Sequence, residues 1–256
     1  MTPADLRSLF DMTGRVVLVT GGTRGIGCAL AEGFVAAGAK VVVASRKPEA
    51  CAETERHLVA LGGEALGVPT HLGDLDALPR LVARAVERFG GLDVLVNNAA
   101  NALALPVGGL TPEAWDKSYS VNLRGPVFLA QAALPHLRES EHASIINVIS
   151  VGALMFSPGV SMYAGGKAAL LSFTRSMAAE LAPLRIRVNA LAPGAVDTDM
   201  VRNNPPEVQE HMARACLLRR IARPEEMVGP ALFLASDAAS YVTGQVLIAD
   251  GGLVAH

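Results

Sequence analysis

Residues 15–38 read Arg15-Val-Val-Leu-Val-Thr20-Gly21-Gly22-Thr23-Arg24-Gly25-Ile26-Gly27-Cys28-Ala-Leu-Ala-Glu-Gly-Phe-Val-Ala-Ala-Gly38. A β-branched, apolar run passes directly into a glycine-rich turn and then into an apolar-periodic segment that stops at Gly38. A nearly continuous apolar run is the pattern of a strand buried on both faces, as in parallel sheets. Glycines are needed where the chain turns tightly and where backbone must come close to a pyrophosphate. A helix starting just after such a turn aims free N–H groups and a partial positive charge at an anion. The spacing here is Gly-x-x-x-Gly-x-Gly rather than Gly-x-Gly-x-x-Gly. Gly21, Thr23, Arg24, Gly25, Ile26 and Gly27 are therefore the expected cofactor loop.

The same rhythm extends outward. Short β-branched runs at 15–20, 40–44, 64–68, 92–97, 144–149, 185–191 and 245–248 alternate with helical patterns at about 25–37, 48–61, 75–89, 112–139, 162–182 and 224–236. This βαβαβ order predicts an α/β fold: a single-domain, Rossmann-type doubly wound parallel sheet of about seven strands with helices on both faces. Asp74 is the expected N-cap of the third helix, Thr111-Pro112 starts the fourth, and Gly38 and Gly90 act as stops. No linker, low-complexity tract or repeat interrupts the pattern, so residues 1–256 read as one dinucleotide-binding and catalytic domain. The stretch 195–220, with Asn203-Asn204-Pro205-Pro206, breaks the rhythm and reads as an irregular substrate lid at a strand's carboxyl end.

Composition narrows the function classes. Of 256 residues, 51% are hydrophobic and 18% charged, which favours a packed core over disorder. A net charge of −2 leaves no basic footprint for nucleic acid. No uninterrupted apolar stretch approaches the ~18 residues of a membrane span, and residues 1–14 lack the regions of a signal peptide. Cys28, Cys51 and Cys216 show no paired spacing, so neither disulfide nor metal is expected and a reducing cytoplasm fits.

The end of the second strand chooses between cofactors. A carboxylate there accepts from a ribose 2′-hydroxyl, whereas an Arg accommodates a 2′-phosphate. This strand ends Ala44-Ser45-Arg46-Lys47, without an acid, and Arg24 adds another cation. Ser45, Arg46, Lys47 and Arg24 together favour NADP(H) over NAD(H), because Arg suits bidentate phosphate binding.

Tyr163 and Lys167 stand four residues apart at the front of an apolar-periodic segment, hence on one helix face. A phenol ordinarily titrates near ~10. A neighbouring cation is expected to lower that value and make the Tyr a general acid/base. The spacing is common on solvated helices, so its weight comes from the residues that accompany it.

Together these residues resemble the classical type of the short-chain dehydrogenase/reductase family over nearly the whole chain. The resemblance rests on Thr20 to Gly27, Asn97-Asn98-Ala99-Ala100, Asn122, Ser150, Tyr163 with Lys167, Pro193-Gly194 with Thr198, and Asp250-Gly251-Gly252. It implies that Tyr163 gives a proton to a carbonyl oxygen and that Lys167 lowers the Tyr pKa and holds the nicotinamide ribose. Ser150, thirteen residues earlier (163 − 150), would polarise the carbonyl. Asn122 would bend a helix and hold a relay water. Asn98, Ala99 and Ala100 would line the adenosine side. Pro193, Gly194, Val196 and Thr198 would grip the carboxamide. His71 and Leu72 stand where the family contacts adenine, His71 in place of a usual Asp. Ala100 replaces a usual Gly, Gly166 a common Ser, and Ile149 a Ser.

The stretches around His71, Asn97 and Ile186 look most like NADP-dependent carbonyl or dicarbonyl reductases, and are similar to 3-oxoacyl thioester reductases. The implied activity is reversible carbonyl reduction. The implied assembly is a homotetramer or dimer through 112–139 and 162–182, with the last strand adding a second contact. Met155, Phe156, Val160, Ala195, Val196, Met200 and Met212 form the expected substrate wall, suited to an apolar ketone, diketone or acyl chain. The alternatives are an NAD-dependent alcohol or hydroxysteroid dehydrogenase and a non-catalytic NADP(H)-binding sensor or scaffold. The last fits poorly, because such proteins usually lose the Tyr or the Lys.

Overall fold

The computed structural model describes residues 1–254. A short helix, α1 (Pro3–Ser8), precedes seven strands: β1 (Val16–Thr20), β2 (Lys40–Ser45), β3 (Glu64–Pro69), β4 (Val94–Asn97), β5 (Ser144–Val148), β6 (Arg187–Pro193) and β7 (Val246–Ala249). All pair in parallel, in the order β3-β2-β1-β4-β5-β6-β7. The crossovers carry α2 (Gly25–Ala36), α3 (Pro48–Ala60), α4 (Ala77–Phe89), α5 (Pro112–Tyr119), α6 (Gly125–Leu137), α7 (Ser161–Leu181), α8 (Asp199–Arg202), α9 (Pro206–Ala215) and α10 (Val228–Ala235).

The apolar strand runs explain the two cores. Successive side chains of a strand point to opposite faces. Val17 and Val19 of β1 join Leu30 and Phe34 of α2, Leu58 of α3 and Leu234 of α10 on one face. Val16 and Leu18 join Leu81 of α4 and Leu129 of α6 on the other. Strand order reverses between β1 and β4, which leaves a crevice at their carboxyl ends where such sheets bind ligands.

A buried polar chain fixes the centre. Asn97 Nδ2 donates to Asn147 Oδ1 (2.9 Å), Asn147 Nδ2 to Thr174 Oγ1 (2.9 Å), and Thr174 Oγ1 to the Leu170 carbonyl (2.8 Å). It ties β4, β5 and α7 together, and so positions the segments that follow β5 and open α7.

Four expectations need correction. The helix expected over 112–139 is interrupted by a π turn at Ser120–Arg124 between α5 and α6. Pro126 has no N–H to give to the carbonyl of Asn122 four residues back, so the regular ladder fails there. Asp74 does not cap the third helix: its Oδ1 accepts from the Asp76 N–H (3.1 Å) in a turn ahead of α4. The stretch 224–236 begins as a tighter 3₁₀ turn, Pro224–Met227, and only then becomes α10. Residues 195–220 are only partly irregular, because two helices form within them. The Thr198 carbonyl accepts from the Val201 and Arg202 N–H groups to start α8, and Pro206 sits in the first turn of α9.

Thr174→Val leaves the Asn147 amide without its acceptor while keeping shape. We expect it to lower stability by about 1–3 kcal/mol, the cost of one orphaned buried donor, read as a drop in the urea midpoint. An unchanged midpoint would remove the chain's structural role.

Candidate active site

The glycine loop leaves β1 at Thr20, which is fully buried. Thr20 Oγ1 donates to the Val96 carbonyl (3.2 Å) and accepts from the N–H groups of Asn98 (3.0 Å) and Ala99 (3.1 Å). Asn98 Nδ2 donates in return to the carbonyls of Thr20 (2.9 Å) and Gly21 (3.3 Å). Gly21 has φ +65°, and a Cβ there would lie 2.9 Å from Ala99 Cα. Only glycine meets both conditions. Thr23 follows in the turn and Arg24 takes an extended conformation at the head of α2, with no side chain capping the helix. The first N–H groups of α2, from Gly25, Ile26 and Gly27 onward, therefore lack a side-chain acceptor. A tight loop ending in uncapped N–H groups fits a pyrophosphate.

Ser45 ends β2, and its carbonyl accepts from the Thr70 N–H (2.7 Å), which brings the His71-Leu72 loop beside it. Arg46 and Lys47 follow, both exposed. His71 is exposed, and its Nδ1 accepts from the Gly73 N–H (3.0 Å). Leu72 is buried in the core, so its side chain is turned away from solvent. Arg24 is engaged elsewhere in the crevice: its Nη1 pairs with Asp199 Oδ2 at 2.9 Å.

Beyond β5, Ser150 turns the chain and its Oγ accepts from the Gly152 N–H (3.1 Å). A hydroxyl has one proton and two lone pairs, so Ser150 still has a proton to donate, with Tyr163 as a neighbour. Tyr163 lies in the first turn of α7, and Lys167 one turn on is fully buried with Nζ donating to the Val148 carbonyl (2.7 Å). Lys167 Nζ sits 5.9 Å from the centre of the Tyr163 ring. Burial pushes the Tyr163 phenol up, and the opposing influence comes from the Ser150 hydroxyl. Burial also pushes Lys167 down from 10.5 to about 8. The two groups share one face of α7, and burial disfavours the charged form of each.

Asn122 is buried within the π turn. Its Oδ1 accepts from the Asn101 N–H (3.0 Å), and its Nδ2 donates to the Asn101 carbonyl (2.8 Å) and to Ser118 Oγ (3.2 Å). The amide is thus committed to Asn101 and Ser118, and Pro126, lacking an N–H, cannot be the regular helical donor to the Asn122 backbone carbonyl. Asn101 and Asp199 were not singled out in the sequence. Their partners lie 21 and 175 residues away, beyond the reach of local patterning.

Pro193 ends β6, and the loop after it carries Gly194, Val196 and Thr198, the last of them against Gly25 of the glycine loop. The Gly194 N–H donates to the Ala249 carbonyl (3.1 Å), which anchors it to β7. Val196 is 3% exposed within the core, so its side chain is no part of a substrate wall. Met155, Phe156 and Met200 are exposed, whereas Val160, Ala195 and Met212 are partly buried.

Comparisons with known proteins agree with this architecture. The family model described as enoyl-(acyl carrier protein) reductase matches residues 21–254. The human dehydrogenase/reductase SDR family member 4 is 39% identical over 247 residues, covering 94% of this chain and 88% of the relative. A 3-oxoacyl-[acyl-carrier-protein] reductase of Thermotoga maritima is 37% identical, covering 95% of this chain and 99% of the relative. A crystal structure of a 3-oxoacyl (acyl-carrier-protein) reductase from Agrobacterium tumefaciens C58 with NADP bound superposes with a TM-score of 0.90 at 36% identity, covering 96% of this chain and 97% of that one.

The buried Lys167 makes stability depend on pH. It titrates near 8 when folded and near its ordinary 10.5 when unfolded. Between those values the unfolded chain holds more protons, so this group's contribution to stability grows as pH rises. Across that window the unfolding free energy of the native chain should gain on that of Lys167→Met, compared by urea denaturation at each pH. A flat or falling difference would exclude a cation destabilised by burial.

Proposed function

The chain belongs to the short-chain dehydrogenase/reductase family of oxidoreductases, and from that premise we propose that it exchanges a hydride between NADP(H) and a carbonyl or secondary alcohol, reducing an apolar ketone, diketone or 3-oxoacyl substrate with Tyr163 as general acid. The observation that carries this reading is the meeting of Ser150, Tyr163 and Lys167 beyond the carboxyl end of β5. Burial keeps the Tyr163 phenol protonated at neutral pH, which is the form a proton donor needs.

Bound NADPH supplies the hydride, and the chain's own groups do the rest. Ser150 directs its proton at the carbonyl oxygen and holds it beside Tyr163. Tyr163 delivers its proton to that oxygen as negative charge develops there. Lys167 has three N–H donors, one of them bound to Val148. The other two serve the ribose hydroxyls, and its charge stabilises the phenolate left behind. The Asn122 carbonyl holds a water through which the proton is replaced.

Residues 195–220 form the substrate lid in this reading. Exposed Met155, Phe156 and Met200 offer adaptable apolar surface. Trp115, Phe128 and Phe173, on α5, α6 and α7, are 46%, 42% and 42% exposed. They support a homotetramer or dimer built on those helices. No helix of the described residues is long and apolar enough to cross a membrane; a cytoplasmic location is part of the proposal.

A second reading, an NAD-dependent alcohol or hydroxysteroid dehydrogenase, draws on the Arg24–Asp199 pair, which occupies one of the cations expected at the 2′-phosphate. Arg46 and Lys47, exposed and directly beyond the end of β2, weigh for NADP(H).

Tyr163→Phe should lower kcat/KM for ketone reduction by about 10²–10⁴-fold while NADPH still binds. If the Phe variant oxidises NADPH at most of the native rate, Tyr163 is not the acid. Arg46→Asp should weaken NADPH binding by at least about tenfold, the scale of one lost charge-assisted phosphate contact, and leave NADH binding equal or tighter. Unchanged NADPH affinity would remove Arg46 from the phosphate site.

A further inference from the structure

Arg24 joins two segments that bind opposite ends of a dinucleotide in the proposed reading. Its guanidinium Nη1 lies 2.9 Å from Oδ2 of Asp199, the first residue of α8 and the neighbour of Thr198. The segments already touch. Gly25 has φ +53°, and a Cβ there would lie 2.9 Å from Thr198 Cγ2. The other acid of the loop, Asp197, is engaged through both oxygens by Arg202, at 2.6 and 3.0 Å. Asp199 is thus the carboxylate left for Arg24.

The pair is open to water, with side chains 73% and 55% exposed. Such pairs bias an equilibrium by about fivefold at most. A phosphate monoester carries more negative charge than a carboxylate and accepts a guanidinium through two oxygens. It can therefore compete with Asp199 for Arg24, whose Nη1 the carboxylate holds. A cofactor without the 2′-phosphate leaves the pair intact.

We propose that Asp199 is a specificity-determining residue that competes with the 2′-phosphate of NADP(H) for Arg24, and so sets how strongly the protein prefers NADP(H) over NAD(H). This rests on the NADP(H) reading of the preceding subsection.

The test is a fluorescence titration of the full chain with NADPH and with NADH, in the native protein, Asp199→Asn, Arg24→Ala, their double variant and Arg46→Asp. Asp199→Asn should tighten NADPH by about two- to fivefold and leave NADH unchanged. In the Arg24→Ala background the same substitution should do nothing. Equal tightening of NADPH and NADH, or tightening that persists without Arg24, would mean a general charge effect and overturn the competition. An Asp199→Asn variant with native NADPH affinity, while Arg46→Asp and Arg24→Ala both weaken NADPH, would overturn the competition and leave the NADP(H) reading standing. If neither Arg46→Asp nor Arg24→Ala weakens NADPH, that reading falls and the inference falls with it.

Discussion

One buried hydroxyl, Thr20 Oγ1, joins the ends of the two strands between which the strand order reverses. At that reversal β1 and β4 diverge, and the backbone groups just past their ends lose their ladder partners. An unpaired buried backbone N–H costs free energy comparable to a lost hydrogen bond. Thr20 resolves this by accepting from two N–H groups, Asn98 and Ala99, and donating to Val96. Asn98 answers by bonding the carbonyls of Thr20 and Gly21. The crevice is held open at fixed width, and the glycine loop is held in the conformation that presents the head of α2.

From that anchor, rigidity passes across the sheet through side chains rather than ladders. The Asn97–Asn147–Thr174 chain couples β4 and β5 to α7. The mutual clasp of Asn101 and Asn122 then couples the end of the β4 loop to the π turn. The segments that carry Asn98, Asn122, Ser150 and Tyr163 are therefore parts of one polar scaffold. Its interior sets the electrostatics of the site. Desolvation raises the Tyr163 pKa and lowers that of Lys167. Both shifts favour neutral forms, as burial does for any ionisable group.

The fold was legible in the sequence because parallel strands buried on both faces leave an unambiguous apolar run, and because each helix stop is a glycine or a change of period. Tyr163 and Lys167 were legible because i, i+4 geometry is local. The π turn was only half legible. Its cause, Pro126, is in the sequence, but the side chain that stabilises it is Asn101, placed there by tertiary folding. The upward pull of burial on Tyr163 was not legible for a related reason: spacing records proximity to a cation, whereas depth of burial emerges only from packing. Arg24 was read as a phosphate ligand from its place in the loop, and its partner on α8 comes from a different crossover altogether.

The departures from the family pattern become physical statements at this level. Gly166 is not forced by space, since a Cβ there would meet Asn122 Cβ at 3.4 Å, an ordinary contact. Ile149 is different. It is 2% exposed and packs with Leu170, Leu171, Ala190 and Ala192. A serine at that position would bury a hydroxyl among apolar side chains, and a polar group without a partner there is costly. The apolar residue at 149 thus closes the core beneath the site and leaves Ser150, one residue on and turned toward the crevice, as the hydroxyl that meets the substrate in the proposed reaction.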